Sequence, residues 1–170
     1  DHCSTFAWVP MPDGRLFGLM HTWVPQAKVE SDPNRLPYAE YEKMGYLTIV
    51  PGRYVQQQAI HDWFDEQSEK YGFEVIGGDP ANATLLARAL QSYRGENKPV
   101  YVWEPVRQGA LTLNDPMKSL RQKFLDGLIV HNRNLLFEWY LNNVRLRRDY
   151  KDGGNENWVP VKGTAGDKID

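Results

Sequence analysis

The feature that most constrains this chain is a change of hydrophobic period along its length. Strand-like apolar runs come first, and helical spacings alternating with short apolar runs follow. Thr5-Phe6-Ala7-Trp8-Val9 reads as a strand, Pro12-Asp13-Gly14 as a turn, and Leu16 to Val24 as a second strand returning beside the first. Residues 25–45 carry scattered charges with Pro33 and Pro37. They read as a long excursion with one turn of helix near Tyr38 to Lys43. Tyr46 to Val50 is a third strand, stopped by Pro51-Gly52, so the first third is expected to be an antiparallel β-meander.

Beyond it, Ile60, Trp63, Phe64 and Tyr71 recur at helical spacing between Val55 and Tyr71, and Gly72 supplies a C-terminal stop. Phe73 to Ile76 is a short strand ending at Gly77-Gly78-Asp79-Pro80. Leu86, Ala89, Leu90 and Tyr93 then share a helical face. Val100 to Trp103 makes a fifth strand. Asp115-Pro116 reads as an N-cap with proline at the first helical position, feeding a helix that Gly127 ends. Leu128-Ile129-Val130 is short and apolar, and Asn134 caps a helix carrying Leu136, Trp139 and Tyr140. Val144 to Arg148 and Trp158 to Val161 form a terminal hairpin across Asp152 to Asn155. The expected architecture is α/β. It is a mixed sheet in which a three-stranded antiparallel meander is continued by right-handed crossovers into parallel strands, with flanking helices and a C-terminal hairpin. That order resembles the ribonuclease H-like fold.

Bulk properties bound the partners. With 41% apolar and 25% charged residues in 170, the chain buries a core without a disulfide or structural metal, and one domain spanning 1–170 is the default. Cys3 is the only cysteine, which excludes an intramolecular disulfide and any zinc site needing two thiolates. No run approaches the roughly 20 apolar residues of a membrane span, and the first residues lack the regions of a signal peptide, so a cytosolic setting is expected. A net charge of −2 exerts no global pull on DNA, so contact with nucleic acid must come from local basic patches.

Asp79 is the most informative acid. It ends a strand where parallel-sheet ligands sit, beside two glycines that allow close approach of a ligand or backbone. An aspartate before proline is also a common cap or turn former, and the residue types alone leave both roles open. His131 has the spacing of a hydrogen-bonded structural residue and is left out of the site, and His2, His21 and His61 do not form a ligand set with it. Trp63, Phe64, Trp139 and Tyr140 sit at core spacing rather than as base-stacking platforms. For DNA contact the candidates are Arg145, Arg147, Arg148 and Lys151 on the terminal hairpin with Lys162 across it, and Lys118, Arg121 and Lys123 on the outer face of a helix. The alternative for both groups is a solvated face, since Asp149, Asp152 and Glu156 interleave with the first.

Gly78-Asp79-Pro80-Ala81-Asn82-Ala83 followed by Leu85-Leu86 resembles the Asp-Pro-x-x-Ala turn of tailed-phage large terminase nuclease domains. Other landmarks of that family follow in order: His21-Thr22-Trp23, Pro37-Tyr38, Gly45-Tyr46-Leu47 with Pro51-Gly52, Arg107-Gln108-Gly109, His131-Asn132 and Lys168-Ile169-Asp170. The resemblance implies a metal-dependent endonuclease that cuts double-stranded DNA concatemers during genome packaging, in the host cytoplasm. It places Asp79 at the Asp-Pro turn, Asp170 at the Lys-Ile-Asp motif and Asp1 as the second acid of a first-strand motif. These three would be catalytic ligands of two Mg2+ or Mn2+ ions. The leading acid would lie just before residue 1, so the chain is expected to be trimmed at both ends and weakened in activity as it stands. An ATPase motor, a small terminase subunit and a portal protein are implied as companions; no Gly-x-x-x-x-Gly-Lys-Ser/Thr stretch is present for an ATPase of its own. Two other readings share the fold: a non-catalytic module binding DNA or the portal, and another ribonuclease H-like nuclease such as a junction resolvase.

Overall fold

The computed structural model describes residues 2–149 and 157–163. In chain order it contains β1 (Cys3–Pro10), β2 (Leu16–Pro25), α1 (Gln26–Ser31), α2 (Tyr38–Lys43), β3 (Leu47–Val50), α3 (Gln57–Tyr71) and β4 (Val75–Gly78). These are followed by α4 (Thr84–Gln91), β5 (Val102–Pro105), α5 (Ala110–Leu125), β6 (Ile129–His131), α6 (Leu135–Asn143), β7 (Val144–Asp149) and β8 (Asn157–Lys162). The chain divides into two compact units, one of Asp1–Val55 with Pro116–Asp170 and the other of Gln56–Asp115.

In the first unit β1 and β2 form the expected antiparallel hairpin, running from Cys3 opposite Trp23 to Pro10 opposite Leu16. The turn closes through Met11 N–H on the Arg15 carbonyl at 2.8 Å and Gly14 N–H on the Met11 carbonyl at 3.0 Å, with Gly14 at φ +84. The third strand departs from the meander. β3 lies parallel to β2, Thr22 opposite Leu47 and Pro25 opposite Val50. The excursion before it holds two short helices, α1 as well as α2, and that length of crossover carries the chain back to run in the same direction as β2.

β6 is also parallel to β2, with Leu16 opposite Ile129 and Gly18 opposite His131. Because β1 occupies one edge of β2 along its length, β3 and β6 share the other edge, β6 beside its first half and β3 beside its last. The Tyr46 hydroxyl ties the two together by donating to the Arg133 carbonyl at 3.1 Å. One face of this sheet builds a core from Met20, Val24, Leu36, Tyr38, Leu47, Leu136, Phe137 and Tyr140. α6 enters that core as Asn134 predicts: the buried amide oxygen accepts from Leu136 N–H at 2.9 Å and Phe137 N–H at 3.2 Å, satisfying the first free amides of the helix. β7 and β8 pair antiparallel from Val144 opposite Lys162 to Asp149 opposite Asn157, while the turn residues Asp152 to Asn155 lie outside the described residues.

In the second unit β4 and β5 pair in parallel, Val75 opposite Val102 and Gly78 opposite Pro105. α4 is the crossover between them and packs on α3 and β5. α3 ends as expected at Gly72, in the left-handed region at φ +69 with its N–H on the Ser68 carbonyl. The expected N-cap at Asp115-Pro116 is corrected. α5 begins at Ala110, and both residues lie inside it. Leu113 N–H already bonds the Gly109 carbonyl at 3.0 Å, so the helix starts before the proline rather than at it. Pro116, lacking an N–H, leaves the Thr112 carbonyl without its helical donor.

Candidate functional site

Asp79 follows directly on β4, at the carboxyl end of a parallel strand pair, where open α/β sheets receive ligands. The pairing reaches past the strands, because Val106 N–H bonds the Gly78 carbonyl at 2.8 Å, and the exposed cation Arg107 comes next at the same end. The Asp79 carboxylate is oriented by its own turn. One oxygen accepts from Ala81 N–H at 3.0 Å and the other from the Asn82 amide at 2.7 Å, while Ala83 N–H bonds the Asp79 carbonyl at 3.0 Å. Both roles open in the sequence are therefore compatible with one geometry. Asp79 forms the turn, and since a carboxylate offers about four acceptor positions, two remain on a half-exposed group held in one orientation.

The glycines before Asp79 have a different cause from the one their position suggests. The space a Gly78 side chain would need is filled by the indole of Trp103, and a Cβ on Gly77 would stand 3.0 Å from a methyl of Val106. Packing of the partner strand accounts for Gly78 and leaves little room at position 77, and close approach of a ligand is not needed to explain them.

Asp1 and Asp170, which the resemblance joins to Asp79, lie outside the described residues, as does Lys151. Among the described residues no three His, Cys, Asp or Glu side chains converge as a metal site would. Asp79 is a hard oxygen donor of the kind Mg2+ and Mn2+ favour, and it fits the role of one ligand in a larger set.

Strand alternation divides the hairpin cations between two faces. Positions 145 and 147 share one face with Val161 and Val159, and positions 144 and 146 share the other with Lys162 and Pro160. Arg147 is exposed. Arg145 is committed in part to the end of α6, donating to the Asn142 carbonyl at 2.8 Å and the Val144 carbonyl at 3.0 Å. The basic stripe read from the sequence is thus split between faces. On α5, Lys118 and Arg121 are exposed and Lys123 is half-buried.

The histidines have structural surroundings. His2 Nδ1 is 2.7 Å from the Tyr140 hydroxyl, His21 Nε2 is 3.0 Å from the Thr48 hydroxyl, and the His131 ring meets Phe137 edge-on. Trp63, Phe64 and Tyr140 are buried, and Trp139 is partly buried beneath Arg35.

One cluster was not legible in the sequence. Asp65 on α3 is 4% exposed, and Arg94 grips it with two hydrogen bonds at 2.8 and 3.1 Å. Lys98 stands 3.1 Å away and the Tyr101 hydroxyl donates to it at 3.2 Å. Burial pushes the Asp65 carboxyl up, but the hydrogen bonds from Arg94 and Lys98 outweigh it and hold the group below its ordinary value. Burial likewise raises the Tyr101 phenol to about 12, which keeps it a donor. The only sequence signal is an acid beside Trp63-Phe64 on the buried side of a helix, and nothing local names its distant partner.

The mixed sheet, flanking helices and terminal strand pair define the mixed α/β class expected from the sequence. Among solved structures, the chain is similar to the HK97 bacteriophage large terminase, with a TM-score of 0.82 at 16% identity over 99% of this chain. It spans 34% of that chain, about a third of its length. No family profile matches the sequence, and no curated protein matches it either. The resemblance read from the sequence motifs and the likeness in structure therefore agree at the level of fold. No described helix is long and apolar enough to cross a membrane.

Proposed function

We propose that this chain is the nuclease part of a phage large terminase, a two-metal-ion endonuclease that cuts double-stranded DNA concatemers as genomes are packaged. The observation that carries the reading is the fold shared with the HK97 enzyme over 99% of the chain, with Asp79 oriented at the carboxyl end of β4 and β5. In this reading Asp79, Asp170 and Asp1 hold Mg2+ or Mn2+. Phosphodiester cleavage needs an activated water and a stabilised leaving oxygen, and a pair of divalent ions would supply both when bound. The turn bonds from Ala81 and Asn82 keep the Asp79 carboxylate aimed without using all its lone pairs. Arg147, Arg148, Lys151 and Lys162, with Arg145 partly engaged elsewhere, are candidates for phosphate contacts without sequence readout. In the complete protein a motor domain, a small terminase subunit and a portal protein would be the partners, in the host cytoplasm.

A second reading is favoured by one observation: both Asp79 carboxylate oxygens already serve the turn, as they would in a DNA- or portal-binding module that does no chemistry. Plasmid nicking in manganese decides between them. The nuclease reading expects metal-dependent nicking that falls at least about a hundredfold, on the order of 3 kcal/mol of barrier, in Asp79→Asn. Equal nicking by both proteins would remove Asp79 from the site, and nicking by neither would favour the binding module. Four-way junctions cut in preference to linear duplex would point to a resolvase instead.

A further inference from the structure

The turn between β3 and α3 carries a cation and an aromatic ring that the fold does not use. Pro51-Gly52-Arg53-Tyr54 leaves the sheet at the carboxyl ends of the parallel strands β2 and β3. Gly52 takes φ +86, which only glycine adopts without strain, and its carbonyl accepts from Ala27 N–H at 3.1 Å, so the turn is pinned against the start of α1. Tyr54 is 80% exposed. Arg53 is exposed too, and has no hydrogen bond or ion pair among the described residues. β1 starts at this same end of the sheet, because Cys3 stands opposite Trp23 near the end of β2.

We propose that Arg53 and Tyr54 hold a nucleic-acid strand, Arg53 on a backbone phosphate and Tyr54 stacked on a base splayed out of the duplex. The inference rests on the nuclease reading for its choice of ligand. A guanidinium with no internal partner matches a phosphate in charge and geometry. A phenol ring held clear of the core offers a face on which any base can stack. The pinned turn presents the two side chains from adjacent positions without the entropy cost of ordering a loose loop.

The test is fluorescence anisotropy, without divalent metal, of labelled duplex and of the same duplex carrying a short single-stranded gap. The proteins are the unaltered chain, Arg53→Ala, Tyr54→Ala and Tyr54→Phe, each checked for native circular dichroism. Arg53→Ala should weaken binding to both DNAs and lower the salt-dependence slope by about one phosphate's share. Tyr54→Ala should weaken binding to the gapped DNA by about 5- to 100-fold and to the intact duplex far less, with Tyr54→Phe retaining affinity. Affinities and salt slopes unchanged in both alanine variants would overturn the proposal, as would failure of the unaltered chain to bind either DNA. Manganese-dependent nicking, run in parallel, separates the two ideas. No nicking with the binding effects intact sinks the nuclease reading alone, whereas nicking that ignores both substitutions, with unchanged binding, sinks this one alone.

Discussion

The indole of Trp103 lies where any side chain on Gly78 would have to go, and Gly78 is the residue immediately before Asp79. The candidate ligand is thereby coupled to the packing of the neighbouring strand: whatever moves Trp103 or fills position 78 also moves the turn that aims the carboxylate.

Gly78→Ala should therefore destabilise the protein by about 1–3 kcal/mol, the range of overpacking in a close-fitted site. The cost should shrink in a Trp103→Leu background, which opens the space, so urea unfolding of the four proteins in a double-mutant cycle should yield a clear coupling energy. Additive losses would show that the indole and the glycine are independent.

Arg94→Met strands the Asp65 carboxylate with only Lys98 and Tyr101 for partners. Removing one member of a buried pair leaves an undercompensated charge, so a loss of about 3 kcal/mol is expected, with part of it recovered in Asp65→Leu/Arg94→Met. Chemical denaturation checks both proteins. A loss under about 0.5 kcal/mol would place the pair in the ordinary surface class.

Acid should weaken the fold in two steps. Burial lowers the pKa of His61, and the charge of Arg94 lowers it further. An unfolded chain then takes up a proton near the ordinary 6.5 while the folded one resists, so this contribution is complete above that value and fades as pH falls toward the lower folded value. Asp65, also depressed, contributes fully above its ordinary 3.8 and loses its share below it. Urea midpoints at pH 7 and 5 should fall for the unaltered protein and fall less for His61→Leu. Equal slopes for the two would exclude His61 as the cause.

Because alternation places positions 145 and 147 on one hairpin face and Lys162 on the other, the basic residues should not act as a single patch. Arg147→Ala should lower the slope of log affinity against log salt by about one unit, and Arg145→Ala by less, since its guanidinium already serves the end of α6. Identical slopes for both variants would contradict the split.

Elements whose signals are local were legible from residue order. The Pro12-Asp13-Gly14 turn, the Gly72 stop, the Asn134 cap and the single turn at Tyr38 to Lys43 each rest on contacts within a few residues. Asp115-Pro116 misleads for the same reason: the pair has the chemistry of a helix beginning, but the Gly109 carbonyl has already begun the helix upstream.

The order of the strands and of every helix but α1, the apolar faces and the Asp79 turn were thus written in the sequence, because hydrophobic period, caps and turn formers act over short spans of chain. The direction of β3, the sharing of one β2 edge by β3 and β6, the Trp103 indole over Gly78 and the Arg94 grip on Asp65 were decided only in three dimensions. Each joins residues that no local rule connects. A strand's direction depends on how far its crossover travels, and a buried charge depends on which distant side chain arrives to meet it.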